Sequence, residues 1–321
     1  MSRKILVLSI AGLVFSLATV SAQEEKPKAE VGGIIFADYF YNLTKNAAPA
    51  NISCFKLTRL YLTATRTLTD KSKIKATLEG TQPVNQLFIK NAFIEFNDVC
   101  CNSNIRAGVI PMPWIGYEEN ILKNRFIAKT FTDIAGVLNS ADIGLGFSGK
   151  LANKSVDYDL ALVNGEGYKT AEVSSDKDIA ARVSYEVVSG IKLHAFENIG
   201  KETSLGLDRN RTIAGVSFEQ KKVSAMVYYL AAKDAAVNKA GFSLFGSYSI
   251  LSNLALLARF DSFDSNTDAI SDSYNRIIAG AAVSISEGVQ LGLSAQLINY
   301  ENTVVQGNDQ TFIYISLGVK Y

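Results

Sequence analysis

From Val31 onward the chain alternates between apolar and polar residues with a period of two. Val289, Leu291, Leu293, Ala295 and Leu297 interleave with Gln290, Gly292, Ser294 and Gln296. Leu60, Leu62 and Ala64 do the same with Arg59, Tyr61, Thr63 and Thr65, and Ile143, Leu145 and Phe147 with Asp142, Gly144, Gly146 and Ser148. Successive side chains of a strand point to opposite faces, so each such segment has one oily and one more polar face. Sixteen segments of this kind are predicted, at 31–41, 54–68, 73–81, 86–97, 103–111, 142–151, 154–163, 177–187, 189–199, 210–220, 222–232, 239–249, 252–263, 275–286, 288–299 and 310–321. Val223 to Ala232 is ambiguous, because both of its faces are apolar. Helical spacing is approached only over 115–130.

The connections alternate as well. After even-numbered segments they are short, as at Asp70-Lys71-Ser72, Ala152-Asn153 and Ser189-Gly190. After odd-numbered ones they are mostly longer and polar, at 43–53, 164–176, 200–209, 264–274 and 300–309, with the longest at 112–141. Short turns on one rim and long loops on the other is the pattern of an all-β, antiparallel up-and-down transmembrane barrel of the outer membrane, with periplasmic turns and extracellular loops. Proline usage agrees. None of the five prolines interrupts a ladder: Pro27 precedes the first strand, and Pro49, Pro83, Pro111 and Pro113 fall in or beside the longer connections.

Alternation alone does not say which face points inward. A soluble sandwich would bury its apolar face, whereas a membrane barrel turns it toward lipid. A closed sheet of sixteen strands encloses a lumen too wide for side chains to fill, so an apolar lining there would be stranded in water. In lipid, moreover, every strand edge must be paired. The apolar face is therefore expected outside. The last segment, with Ile313, Ile315, Leu317, Val319 and Tyr321 on one face, ends on an aromatic residue.

At the N-terminus, Arg3 and Lys4 precede the apolar run Ile5 to Val20 and the small residues of Val20-Ser21-Ala22. These features predict a cleaved export signal over 1–22, a short segment over 23–30 and a barrel domain over 31–321. The export signal and the strand pattern together predict a location in the bacterial outer membrane.

Composition narrows the field without adding to it. With 48% hydrophobic and 20% charged residues, the chain is unlike disordered, collagen-like or disulfide-stapled proteins. A formal charge of +1 argues against a nucleic-acid partner. One histidine and three cysteines leave little material for a metal or cofactor site, and none is expected. His194 has no catalytic set around it in the sequence, so no enzyme is expected. Gly144-Leu-Gly146-Phe-Ser-Gly149 matches a dinucleotide fingerprint but sits inside a predicted strand, where no helix N-terminus can follow. Its glycines are expected to leave room in the lumen. Asp264-Ser-Asn266-Thr-Asp268 resembles the start of a calcium loop yet lacks its glycine and final glutamate. Cys54 is expected at the extracellular rim and Cys100 and Cys101 in a periplasmic turn, about 25 Å away. That is beyond the ~7 Å a disulfide allows, so Cys54 is expected unbridged, while a strained vicinal Cys100–Cys101 bond stays open.

The longest loop follows the fifth strand. Arg106-Ala-Gly-Val-Ile-Pro111-Met-Pro-Trp114 and the following Glu118-Glu119 resemble the strand-five exit of phosphate-selective (O/P-type) porins. Asp142-Ile-Gly144-Leu, Asn164-Gly-Glu-Gly167, Ala180-Ala-Arg182-Val-Ser-Tyr185 and Arg259-Phe-Asp261 follow in the order such porins show. The resemblance implies a third extracellular loop folded into the lumen, a homotrimer, contact with outer-membrane lipids and lipopolysaccharide, and passive diffusion of ions and small hydrophilic solutes through a water-filled channel. The alternative is a non-conducting structural or adhesive barrel. In a channel, fixed charges at the narrowest part select ions. Arg59, Lys75, Arg106, Arg182 and Arg259 are expected on the inner wall, facing Glu118, Glu119 and Asp133 on the loop across a transverse field.

Overall fold

Each of the sixteen alternating segments is a strand in the structure, a computed structural model that describes residues 29–44, 52–81, 86–202 and 206–321. The predicted export signal over 1–22, residues 23–28, Pro27, Pro49 and Pro83 lie outside the described residues. The first eight strands are β1 (Ala29–Asn42), β2 (Ser53–Thr69), β3 (Ser72–Thr81), β4 (Gln86–Cys100), β5 (Ser103–Pro111), β6 (Ala141–Leu151), β7 (Val156–Val163) and β8 (Asp178–Val188). The second eight are β9 (Ile191–Glu202), β10 (Leu207–Gln220), β11 (Val223–Asp234), β12 (Val237–Ser249), β13 (Leu254–Asp264), β14 (Ser273–Ser286), β15 (Val289–Tyr300) and β16 (Gln310–Lys320). Each pairs antiparallel with its sequence neighbours, and β1 pairs with β16 to close the barrel. The seam continues to the last residue, where Gly33 N–H donates to the Tyr321 carbonyl at 2.8 Å and Tyr321 N–H donates to that of Gly33 at 3.1 Å.

The apolar face points outward. Leu145 is 52% exposed and Leu293 57%, as suits side chains that meet lipid instead of a dry centre. This is an all-β, sixteen-stranded closed barrel with the transmembrane porin fold.

Two strand pairs run further than alternation predicts. β9 and β10 reach Glu202 and Leu207, and β11 and β12 are joined by only Ala235 and Ala236, with Ala235 in the left-handed region at φ 55°. Most of the added residues are polar, and they pair with one another, Lys201 with Asp208 and Arg209 with Asp234. Above the lipid band both faces are wet, so a strand can continue there without alternating.

The barrel also holds an apolar cluster on its inner side. Between β5 and β6 the chain forms α1 (Ile115–Leu122) and the single turn α2 (Phe131–Ile134). Trp114, Ile121, Leu122 and Phe131 from this loop pack against Phe196, Ile213, Met226, Tyr228, Leu230 and Phe245 of the wall. That explains the ambiguity in β11. Val227 and Tyr229 face lipid, while Met226, Tyr228 and Leu230 are buried beneath the loop.

Candidate channel constriction

The loop between β5 and β6 is drawn into the barrel by its ends and its middle. Met112 N–H donates to the Ser140 carbonyl at 3.1 Å, closing the neck. An eight-residue helix without a side-chain N-cap is marginal in water, so α1 depends on packing. Trp114 is fully buried, with ring centroids 5.6 Å from Phe196 and 5.4 Å from Tyr228. Glycines on the wall make room. A Cβ on Gly292 would stand 2.7 Å from Ile127, and one on Gly318 would stand 2.9 Å from Phe126. Gly146 makes room for Arg106 and Ile110 instead of the loop. The whole Gly144-to-Gly149 stretch lies within β6.

Polar anchors complete the docking. Glu118, 1% exposed, accepts from Tyr228 Oη at 2.6 Å, Thr132 Oγ1 at 2.8 Å, Trp114 Nε1 at 3.2 Å and Phe131 N at 3.3 Å. Burial pushes its carboxyl up to about 7, against the Tyr228 and Thr132 hydrogen bonds that pull it down. Three wall arginines donate to loop carbonyls: Arg182 Nε to Pro113 at 3.0 Å, Arg211 Nε to Val137 at 2.6 Å, and Arg259 to Lys129. A carbonyl turned inward by an irregular loop needs such a donor once water is excluded.

The loop packs against β8–β13 and, through Phe126 and Ile127, against β14–β16, and leaves a cavity of about 1650 Å³ bounded mainly by β1–β4 and the loop's other face. Charges cross it. Arg59 Nη2 lies 2.9 Å from Glu119 Oε1 and Nη1 3.3 Å from Oε2, a forked pair between wall and loop. Arg125 extends the chain, with Nε 2.7 Å from Glu119 Oε1 and Nη2 3.0 Å from Asp133 Oδ2. Lys129 reaches Asp133 at 3.4 Å. Burial alone would raise the Glu119 carboxyl, but the charges and hydrogen bonds of Arg59 and Arg125 hold it below the usual range.

Of the eight residues singled out from the sequence, Arg59, Glu119 and Asp133 thus meet through Arg125, and Lys75 lines the same cavity. Arg182 touches that cavity too, but outside this chain of charges, and Arg106, Arg259 and Glu118 lie outside the cavity lining. Arg106 pairs with Asp159, Arg182 with Asp157, and Arg259 with Asp261, Nη2 to Oδ2 at 2.6 Å, all between wall residues. Glu118 faces the wall's apolar side and no arginine is among its hydrogen-bond partners. An acid at i and another at i+1 of a helix point about 100° apart, which is why Glu118 and Glu119 part company.

Arg125 and Lys90 escape the sequence reading. Arg125 falls in the 115–130 stretch where helical spacing is approached, but the helix ends at Leu122 and Arg125 lies in the irregular chain beyond it. Lys90 does leave a trace: the apolar positions of β4 run Leu87, Ile89, then Ala92, Ile94 and Phe96. That change of phase is a β-bulge, and the register between β3 and β4 shifts there, with Leu78 opposite Ile89 but Thr77 opposite Asn91. Lys90 and Asn91 both line the cavity as a result.

The remaining motifs are structural. His194 lies between Ser184 Oγ and Ser217 Oγ, each at 2.9 Å, with Tyr117 Oη at 3.4 Å. Asn266 N–H bonds Asp264 and Asp268 N–H bonds Asn266, which folds that loop on itself. Among the described residues no group of three or more His, Cys, Asp or Glu side chains is placed to hold a metal ion. All three cysteines are free, with Cys54 and Cys100 at opposite ends of their strands.

No protein-family model matches the sequence, and no curated protein matches it. The fold has many counterparts among solved structures. An anion-selective porin from Comamonas acidovorans superposes with a TM-score of 0.72 at 14% identity, over 92% of this chain and 100% of that one. OmpF of Salmonella typhi, solved in complex with daunomycin, gives 0.70 at 12% identity, over 94% and 100%. The outer-membrane channel DcaP of Acinetobacter baumannii gives 0.67 at 12% identity, over 94% and 99%. The chain therefore has the architecture of the sixteen-stranded bacterial outer-membrane porins.

Proposed function

We propose that this protein is a porin of the bacterial outer membrane, a water-filled channel through which ions and small hydrophilic solutes diffuse passively. One observation carries the reading: a charged cavity of about 1650 Å³ remains between the loop and the β1–β4 wall. A loop built only to plug the barrel would have no reason to turn Glu119, Arg125 and Asp133 toward that space. The constriction in this reading is the Arg59–Glu119–Arg125–Asp133 chain with Lys75 beside it. Carrying a polar solute across hydrocarbon is costly because nothing there replaces its hydration. A wet lumen removes that cost, and wall charges bias which ions enter.

The reading extends to a homotrimer in contact with outer-membrane lipids and lipopolysaccharide. The finer kinship with phosphate-selective porins rests on the sequence motifs between Arg106 and Asp261 alone. The rival is a non-conducting structural barrel, favoured by the density with which Trp114, Ile121 and Phe131 fill the β8–β13 side. Planar-bilayer recording on refolded protein separates the two. Stepwise currents support the channel; a folded, inserted and silent barrel supports the rival.

A further inference from the structure

We propose that the connection between β7 and β8 (residues 164–177) closes a further side of the constriction, and that its Tyr168 sets the largest solute the pore admits. The inference rests on the channel reading and adds a size limit to it.

Two glycines bring this connection inward. Gly165 and Gly167 have φ of 112° and 83°, conformations that a side chain would strain. The tight path they allow turns both of their N–H groups onto Asp142 Oδ2, at 2.8 and 3.2 Å. Arg209 Nη2 donates to the Gly165 carbonyl at 2.7 Å, and Tyr168 N–H donates to that of Ala141 at 3.2 Å. Ala141 directly follows Ser140, whose carbonyl closes the neck of the long loop on Met112. The two loops are therefore bonded at their roots, and a Cβ on Gly167 would stand 2.5 Å from the Asn139 side chain.

From that root Tyr168 reaches the β3–β4 wall. Its hydroxyl donates to Glu79 Oε2, and Lys169 Nζ lies 3.2 Å from Glu79 Oε1, so one loop takes both oxygens of a wall carboxylate. Lys90 Nζ stands 4.1 Å from the centre of the Tyr168 ring and also touches the Ser140 hydroxyl. The Phe88 ring meets the tyrosine edge-on, with centroids 6.4 Å apart. Glu79 stands opposite Tyr61 across β2 and β3, and the Tyr61 ring lies 4.8 Å from the Arg59 guanidinium. The tyrosine thus docks beside the Arg59–Glu119 pair. It is only half-buried, and it lines the open cavity. Glu79 and Lys90 hold a bulky neutral ring in the lumen, fixed by a hydrogen bond, a cation and a second ring. In a passive pore the diameter at such an obstacle decides what passes.

The test is planar-bilayer recording on the refolded full chain, with neutral polyethylene glycols of graded size added. A polymer small enough to enter displaces conducting solution and lowers the current, whereas a larger one does not. Y168A is expected to raise single-channel conductance and to admit a larger polymer than the wild type. Y168F, which keeps the ring on Lys90 and Phe88, is expected to keep the wild-type limit. A second measurement replaces the ring chemically. With Cys54, Cys100 and Cys101 changed to serine, Y168C is expected to conduct like Y168A, and a benzyl thiosulfonate is expected to lower its current again. Wild-type conductance and polymer limit in Y168A, or a limit that moves as far in Y168F as in Y168A, overturns the role of Tyr168 and leaves the channel standing. So does a Y168C current that benzylation leaves unchanged. A wild type that inserts but gives no currents overturns the channel reading itself.

Discussion

The Tyr228 hydroxyl donates to Glu118 at 2.6 Å, joining strand β11 to a helix that lies more than a hundred residues earlier in the chain. This bond, with the three others on the same carboxylate, ties the polar hub of the loop to the apolar wall it packs against. It makes the loop's position a consequence of tertiary contacts on the far side from the open lumen.

Replacing Glu118 by leucine is expected to loosen the loop more than replacing Tyr228 by phenylalanine. E118L leaves four donors without an acceptor, whereas Y228F removes one hydrogen bond, worth about 0.5–1.5 kcal/mol. Thermal unfolding midpoints and limited proteolysis between 112 and 140 report the order, and equal sensitivity of the two variants would contradict it.

Loop docking is expected to depend on pH, with a definite sign. The Glu118 carboxyl is raised to about 7 when docked and sits near its ordinary ~4.3 when free. The docked form therefore keeps a proton that the free form sheds. Docking is strongest below about 4.3 and weakens as pH rises through 7, by an amount on the order of 3 kcal/mol in full. Glu119, held below the usual carboxylate range by Arg59 and Arg125, works the other way. Its contribution is present above the ordinary carboxylate range and is lost as pH falls through its depressed value. Current noise or protease sensitivity at pH 5.5 against pH 8 is expected to rise with pH in the wild type and to flatten in E118Q.

Opposite shifts in ion preference are expected from the two halves of the forked pair at the constriction. R59Q leaves Glu119 with less compensation and moves the channel toward cations. E119Q leaves Arg59 and Arg125 under-compensated and moves it toward anions. At separations near 4 Å each change is worth roughly fivefold in the permeability ratio. Zero-current potentials measure both, and shifts of the same sign would place the constriction elsewhere.

Filling the wall beneath the loop is expected to narrow the pore. G292V puts carbon where Ile127 already stands, 2.7 Å from the new Cβ, and backbone and loop cannot both remain in place. The loop is displaced toward β1–β4, so single-channel conductance falls while the barrel still inserts. The same substitution at Gly246, whose Cβ would meet nothing nearer than 3.8 Å, is expected to leave conductance unchanged.

The outward direction of the apolar face has its own check. L293R places a charge on the lipid side and is expected to cost about 2–4 kcal/mol near the bilayer midplane. S294R, one residue along, faces the inner wall and escapes the lipid penalty, though it crowds a buried site. Denaturant unfolding in bilayers distinguishes a lipid-side cost from a packing cost by its dependence on the depth of the substituted position.

Strand number, order and inside-out polarity were legible before any coordinates, because a period of two survives wherever one face meets lipid and the other meets water. Legibility failed where that contrast disappears. β9 to β12 run on above the lipid band, where both faces are wet, and β11 carries apolar residues on both faces because the loop covers its inner one. The bulge at Lys90 and Asn91 was readable as a phase change between Ile89 and Ala92.

The site was less legible than the fold. Arg59, Glu119 and Asp133 could be nominated from their positions, but the residue that joins them, Arg125, lies past the end of the helix that the spacing over 115–130 only partly foretold. Arg182 and Arg259 look from the sequence like lumen charges of the same kind as Arg59. Only the path of the loop decides that they bind its carbonyls while Arg59 binds its carboxylate. Alternation is a local property of backbone geometry and solvent, so together with the strand count, which makes the lumen too wide to fill, the sequence by itself determined the barrel and its outward apolar face. Which side of the lumen stays wet depends on packing between the loop and strands more than a hundred residues away, and that the tertiary structure alone decided.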